Sequence, residues 1–345
     1  MKQLSTNKRS QLKQQGLSLI ELLIALTLGI FLVFGVIEVY VSSAQTYRSQ
    51  DALSRLQENA RFALDTLVSD TRRAGYAGCS LIDSVNITVA NGSPTIAPYS
   101  AALSFYGYQN TGNKVWDPAL PTELTIPLGG LILADDTDIL TVQSAGACST
   151  ALTANMANTG DDITIDAGSC SFSADDVIMV SDCNNVDLVR INAPITGTTD
   201  ISLPPTQGLS KAYTTNNFAE VLSVKSATYF IADDNGIPSL YVLDNNQNAP
   251  TATNPLALIE GVENMQIQYG IDDTDDGVPN QYKDAPTGTE WDNVVSARIS
   301  LLMRTIEFNN GEAFTFDIGG TNEIYPAGPI RKLFETTVQL RNRNL

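Results

Sequence analysis

Four cysteines, one glutamate inside an apolar run and one acidic loop are the groups in this 345-residue chain whose types and spacing could do chemistry. Glu21 is the fifth residue of a stretch from Leu17 to Ile37 that is otherwise apolar or weakly polar. An unpaired carboxylate at bilayer depth costs about 2.5–3.5 kcal/mol on insertion scales, so a charge placed there calls for a partner. Cys79, Cys148, Cys170 and Cys183 all follow that run, none in C-x-x-C spacing. On the exported side of a membrane an even number reads as two disulfides, with three pairings open and four buried free thiols as the alternative. The short interval between Cys170 and Cys183 favours that pair and leaves Cys79 with Cys148. In "YGIDDTDDGVPNQYKD", Asp272, Thr274 and Asp276 followed by Gly277 imitate the start of a calcium loop, where oxygen ligands alternate and glycine turns the chain. Lys283 then stands where the bidentate glutamate belongs, so a loose structural calcium site competes with a plain solvated acidic loop. No other cofactor is expected.

The chain has no histidine, which removes Ser-His-Asp and Cys-His chemistry, His-ligated zinc and the usual near-neutral proton shuttle. G-x-S-x-G, G-x-x-x-x-G-K-[ST] and G-x-G-x-x-G are also missing, so no enzymatic activity is expected. Trp116 and Trp291 could stack on a sugar, although most such aromatics pack in cores. The formal charge of −18 is unevenly spread: residues 1–16 hold Lys2, Lys8, Arg9 and Lys13 and no acid. The acidic remainder would be repelled by nucleic-acid phosphates, and no nucleic-acid partner is expected for it.

The elements that must position these groups begin with the apolar run. At about 1.5 Å per residue it spans a hydrocarbon core of about 30 Å. The basic leader places its own side in the cytoplasm and the body outside, in the bacterial periplasm. A secretory signal cut after Ala44 fits poorly, because its apolar region should be shorter and free of Glu21. "GLSLIE", residues 16–21, instead closely resembles the type IV prepilin signal. The resemblance implies cleavage between Gly16 and Leu17 by a prepilin peptidase that also N-methylates Leu17. It further implies that Glu21 meets the new amine of a neighbouring subunit during assembly. Beyond the membrane, Leu53, Leu56, Ala60, Ala63, Leu64, Leu67 and Val68 recur at helical spacing, and Arg72-Arg73-Ala74-Gly75 supplies a stop. The spacing predicts one helix over 17–75 after a removable leader, 1–16.

From 76 the texture is that of strands. The best candidates are 138–142, 176–180, 220–224, 227–231, 239–243, 264–269, 294–304, 313–317 and 332–340, with a hairpin turned by Asp233-Asp234-Asn235-Gly236. A turn-rich stretch near 204–217 suggests a division into a β-rich, disulfide-bearing inserted region, 76–210, and a sheet region, 211–345. "RRAGYAGC", "ADDVIMVSDC", "YFIADDNGIPSLY", "IEGVENMQIQYGID", "VVSARISLLMRT" and "RKLFETTVQLRNRN", in that order, resemble the PilW-type minor pilins of type IV pili. The resemblance implies an α+β, pilin-like fold, in which a long N-terminal helix packs on an antiparallel sheet that carries the inserted region. It implies a minor pilin that joins other minor pilins, a tip adhesin and the major pilin in a priming complex. Such a chain resides in the inner membrane and then in the pilus, at its tip on the cell surface. A minor pseudopilin of type II secretion and a pilin-anchored adhesin are the alternatives. Arg331, Lys332, Arg341 and Arg343 either contact acidic neighbours or mark an exposed final strand.

Overall fold

The computed structural model describes residues 16–81, 86–89, 104–120, 124, 131–166, 168, 170–174, 176–192, 197, 200–206, 208–246, 255–318 and 321–342. Two compact units divide the chain, Met1–Asp51 and Ala52–Leu345. A 55-residue helix, α1 (Leu19–Arg73), runs through the described part of the first and opens the second.

In the second unit, Leu56, Ala60, Ala63 and Leu67 are buried at spacings of four, three and four, the period that aligns one helical face. Two of these residues are alanines, which let the helix backbone come close to the sheets it packs against. After Arg73 the chain turns through Gly75, at φ 75°, whose N–H donates to the Gln143 carbonyl at 3.0 Å. The Asn342 amide donates to the exposed carbonyls of Arg72 and Ala74, at 3.4 and 3.2 Å, so the far end of the chain closes the helix terminus.

The strands are β1 (Tyr76–Ala77), β2 (Ser80–Leu81), β3 (Asn86–Val89), β4 (Phe105–Gly112), β5 (Val115–Asp117), β6 (Ile132–Leu133) and β7 (Ile139–Ala151). They continue as β8 (Ile163–Asp166), β9 (Val177–Ser181), β10 (Asn185–Arg190), β11 (Asp200–Leu203), β12 (Glu220–Asp234), β13 (Ile237–Asp244) and β14 (Leu256–Glu260). The last are β15 (Val262–Ile271), β16 (Gln281–Lys283), β17 (Val294–Arg304), β18 (Phe314–Ile318), β19 (Thr321–Tyr325) and β20 (Arg331–Gln339). A ten-stranded sheet has the path β3-β10-β9-β12-β7-β4-β5, with β13 and β6 also paired to β12 and β14 paired to β13, and a four-stranded sheet runs β16-β15-β17-β20. Pairing is antiparallel except between β3 and β10. The main core lies among Leu56, Ala60, Ala63 and Leu67 of α1, Tyr229 and Ile231 of β12, and Met265, Ile267, Ile299 and Leu301 of the smaller sheet. The chain is therefore α+β, with a long N-terminal helix packed on antiparallel sheets.

The expected strands are present with shifted ends, and two of them fuse. Segments 220–224 and 227–231 are one 15-residue strand, β12, and β7 bulges opposite it between Ser149 and Ala145. The hairpin turns at Asn235-Gly236, whose φ values of 55° and 86° match a two-residue type I′ loop. β4 was not among the expected strands, because Gly107, Asn110 and Gly112 read as turn residues. Gly107 has a packing reason instead: a methyl group there would fall 1.5 Å from the Tyr269 hydroxyl of β15. β12 pairs with β7 and β9 from before position 210 and with β13 from after it, so the large sheet runs through that position.

The disulfides correct the favoured pairing. Cys79 bonds to Cys183 and Cys148 to Cys170, with Cα separations of 5.2 and 5.9 Å, inside the span such a bond allows. Cys170 precedes β9 and Cys183 follows it in the turn to β10, and five strand residues carry the chain roughly 15 Å. Nearness in sequence is thus converted by β9 into distance in space.

Asp70 fixes the helix against β12. It lies on the buried stripe, 4% exposed, and its carboxylate receives Lys225 Nζ at 2.7 and 2.6 Å, Arg73 Nη2 at 2.7 Å and the Tyr229 hydroxyl. Asp70→Ala leaves the buried Tyr229 hydroxyl without its acceptor and is expected to cost about 1–3 kcal/mol in a denaturant-unfolding measurement. Lys225→Ala is expected to cost less, since that side chain is 41% exposed and water can replace it.

Candidate assembly site

At the N-terminus the geometry is that of a capped helix. Gly16, Leu17 and Ser18 precede α1, and Leu17 is exposed. The Ser18 hydroxyl accepts the Glu21 N–H at 3.3 Å and its carbonyl accepts the Leu22 N–H at 3.2 Å. Ser18 is thus the N-cap and Glu21 the third helical residue, the S-x-x-E spacing of a capping box. That local pattern explains why the helix starts at Leu19 rather than at Leu17. It places the Glu21 carboxylate in the first turn, beside the positive end of the helix dipole. From Leu17 to Val41 the large apolar side chains of this first unit are exposed, Leu19 and Phe31 at 79% and 71%. α1 is long and apolar enough in this half to cross a membrane. The site at this end is therefore a largely apolar helical surface that carries an acid, Glu21, in its first turn.

In the second unit two buried carboxylates organise the head, and neither was singled out from sequence. Burial pushes the Asp70 carboxyl up, but the hydrogen bonds from Lys225, Tyr229 and Arg73 outweigh it and hold it below the usual carboxylate range. Its stabilisation is therefore present above about pH 4 and lost as pH falls below that. The available signal was positional: Asp70 continues the apolar stripe of Leu56, Ala60, Ala63 and Leu67.

Asp138 does the reverse. It stands just before β7, 1% exposed, and bridges strands of both sheets: Oδ1 accepts the Asn110 N–H of β4 at 3.0 Å and Oδ2 the Ile267 N–H of β15 at 2.8 Å. Its own N–H donates to the Met265 carbonyl at 2.8 Å. Burial pushes its carboxyl up to about 7, against those two N–H bonds, with Asp284 adding repulsion.

The acidic loop is closed by its own hydrogen bonds. Asp272 is 2% exposed and turned inward; Oδ1 accepts the Thr274 N–H and hydroxyl at 2.9 and 3.2 Å, and Oδ2 the Gly277 N–H at 2.7 Å. These bonds hold its carboxyl below the ordinary value. Asp276 caps the Val278 N–H at 2.9 Å. Among the described residues no three acids or cysteines converge as metal ligands. Trp116 and Trp291 are both buried; the first donates its indole N–H to the Thr137 carbonyl at 2.9 Å and the second packs on Tyr106 and Tyr269. Of the C-terminal basic residues, Arg331 holds Glu263 through two bonds of 2.5 and 3.0 Å. Lys332 lies over the Phe334 ring, Arg341 is exposed, and Arg343 lies outside the described residues.

Residues 228–342 match the family model of the Type IV Pilus-assembly protein W, PilW. The match covers the C-terminal third of the chain. It takes in the second half of β12 from Thr228 on, all of β13 to β20 and the Asp272 loop, and it leaves α1 and the four cysteines outside. A type IV-like pilin from Thermus thermophilus aligns in structure with a TM-score of 0.34 and 11% identity, over 84% of this chain and 99% of its own. A comparison with curated proteins gives no match.

The raised Asp138 carboxyl sets a pH dependence with a definite sign. The folded state holds a proton there that the unfolded chain, titrating near 4, has released, so its contribution is lost as pH rises from about 4 to about 7. Wild-type Tm minus that of Asp138→Asn is expected to shrink steadily as thermal scans move from pH 5 to pH 8. A constant difference across that range would show that Asp138 does not titrate there.

Proposed function

We propose that this protein is a minor pilin, made as an inner-membrane precursor and incorporated into a type IV pilus as part of the complex that starts polymerisation of the major pilin. The observation that carries the reading is the placement of "GLSLIE" at the N-cap of one continuous helix, whose first half exposes its large apolar side chains and whose second half is core to a head that matches the PilW model. Cleavage between Gly16 and Leu17 removes the basic leader and creates an amine four residues before Glu21. The partner of Glu21 is the amine of a neighbouring subunit, so the charge that is costly alone in lipid becomes half of an ion pair in the filament. A prepilin peptidase with methyltransferase activity, the other minor pilins, a tip adhesin and the major pilin are the partners this requires. Transport to the pilus tip follows from the priming role.

Two measurements test it. Mass spectrometry of the chain purified from membranes is expected to give an N-methylated Leu17 as the first residue; a chain starting at Gln45 overturns the prepilin reading. Glu21→Ala is expected to insert into the membrane at least as well as wild type, since insertion scales put the charge at about 2.5–3.5 kcal/mol, while its recovery in sheared pili falls several-fold. Normal incorporation of that variant would remove the role given to Glu21. Loss of surface pili from a deletion strain, with secretion unchanged, separates the pilus from the type II secretion alternative.

A further inference from the structure

The order in which the chain supplies its strands conflicts with the order in which its cysteines pair. Cys79, Cys148, Cys170 and Cys183 all precede β12, yet β12 is the strand that separates β7 from β9 in the finished sheet. Its first residues also seat two of the cysteines. The Ser223 hydroxyl accepts the Cys148 N–H at 3.1 Å, and Glu220 accepts the hydroxyl of the adjacent Ser149 at 2.7 Å. Gly78, next to Cys79, packs so tightly on Glu220 that a methyl group there would fall 2.3 Å from its Oε1. Leu222 pairs with Ser149 of β7 on one side and Met179 of β9 on the other. The scaffold that brings the native partners together is thus incomplete until residues 220–223 arrive.

On a chain without that scaffold, pairing follows loop closure. The native bonds enclose 104 and 22 residues, one nested inside the other, whereas joining consecutive cysteines closes a shorter loop in each case. A three-halves-power dependence on loop length gives the consecutive pairing about seven-tenths of outcomes and the native pairing about one fifth. A body exported behind an N-terminal membrane segment presents the four thiols in chain order, which adds to that bias.

We infer that the native disulfides arise by reshuffling, and that this chain is a substrate of a thiol–disulfide isomerase: a catalyst presenting a nucleophilic thiolate on the exported side. The exchange balances without net oxidation. The catalyst thiolate attacks Cys183 Sγ in a Cys170–Cys183 bond and releases the Cys170 thiolate. Cys170 attacks Cys148 Sγ in a Cys79–Cys148 bond, forming Cys148–Cys170 and releasing the Cys79 thiolate. Cys79 then attacks Cys183 Sγ in the mixed disulfide, forming Cys79–Cys183 and returning the catalyst thiolate. The inference rests on export of the body and not on its place in a pilus, so it stands or falls separately from the assembly reading.

The test uses the full chain expressed in two exporting bacterial hosts that differ only in their disulfide isomerase. Free thiols are blocked at lysis, and linked peptides are quantified by mass spectrometry without reduction. Without the isomerase the Cys79–Cys183 peptide is expected to fall about five-fold, the factor set by loop closure, and the Cys170–Cys183 peptide to take its place. A reduced and oxidised glutathione buffer, added to the mispaired chain in detergent, is expected to restore the native map. A control with Cys148→Ser and Cys170→Ser together leaves one bridge to form, and its Cys79–Cys183 yield is expected to be equal in both hosts. Native peptides at equal yield for the wild type, loss of chain with no mispaired peptide, or isomerase dependence of the double variant would each overturn the inference.

Discussion

A carboxylate on the apolar side of a helix is the constraint from which the head of this protein is built. Burying Asp70 is unfavourable unless its charge is met, and two of its three partners, Lys225 and Tyr229, come from β12. A sheet packed on a helix by apolar contact alone could slide or rotate at little cost, because Leu, Ile and Met surfaces accommodate one another. Asp70 forbids this. Displacing it by one helical turn would leave a charge and a buried hydroxyl unpaired together. The ion cluster thus adds to the register of α1 on β12 a specificity that the surrounding apolar core does not provide.

β12 extends that control through the rest of the fold. One strand pairs with β7 and β9 at its start and with β7, β13 and β6 towards its end. The change of neighbour follows the register shift between Leu222 and Val224, where Ser223 alone stands opposite residues 146–148 of β7. Asp138 then joins the large sheet to the small one, taking backbone N–H groups from β4 and β15 with a single carboxylate. The two acids respond to pH in opposite directions, one held charged by cations and hydroxyl, the other raised by burial that two N–H groups do not offset. Both side chains are nearly inaccessible to water, and the cations beside Asp70 offset a burial that the two N–H groups on Asp138 do not.

How much of this was legible in the sequence depended on whether the signal was local. The helical period of Leu56, Ala60, Ala63 and Leu67, the Asn235-Gly236 hairpin and the β17 and β20 runs are local patterns, and each appears where it was read. The start of α1 was missed by two residues because Ser18 was treated as part of a motif and not as a cap. β4 was hidden by glycines and asparagine whose reasons are tertiary, above all the Tyr269 hydroxyl against Gly107. The disulfide pairing failed for the same cause. Interval length describes an unfolded chain, and the pairing present here is decided by β9 and β12. Asp70 and Asp138 carry no motif, and only the place of Asp70 on the buried stripe marked it in advance.

The N-terminal acid poses the energetic problem of Asp70, and among the described residues no cation of the first unit is shown against it. Within the first unit, Glu21 has the Ser18 cap and the helix dipole beside it, and the side chains around it are exposed and apolar. The Ser18 bond is to the Glu21 N–H and not to its carboxylate, and the dipole is worth about 0.3–1 kcal/mol, less than the cost of about 2.5–3.5 kcal/mol for a carboxylate in hydrocarbon. On the reading proposed above, a cation can meet Glu21 at the same depth only after cleavage has made one and a neighbouring helix has brought it there. The acid then opposes the free membrane state and favours the assembled one by the same interaction. A neutral residue at that position would remove the opposition and the preference together, leaving a helix content to remain in lipid.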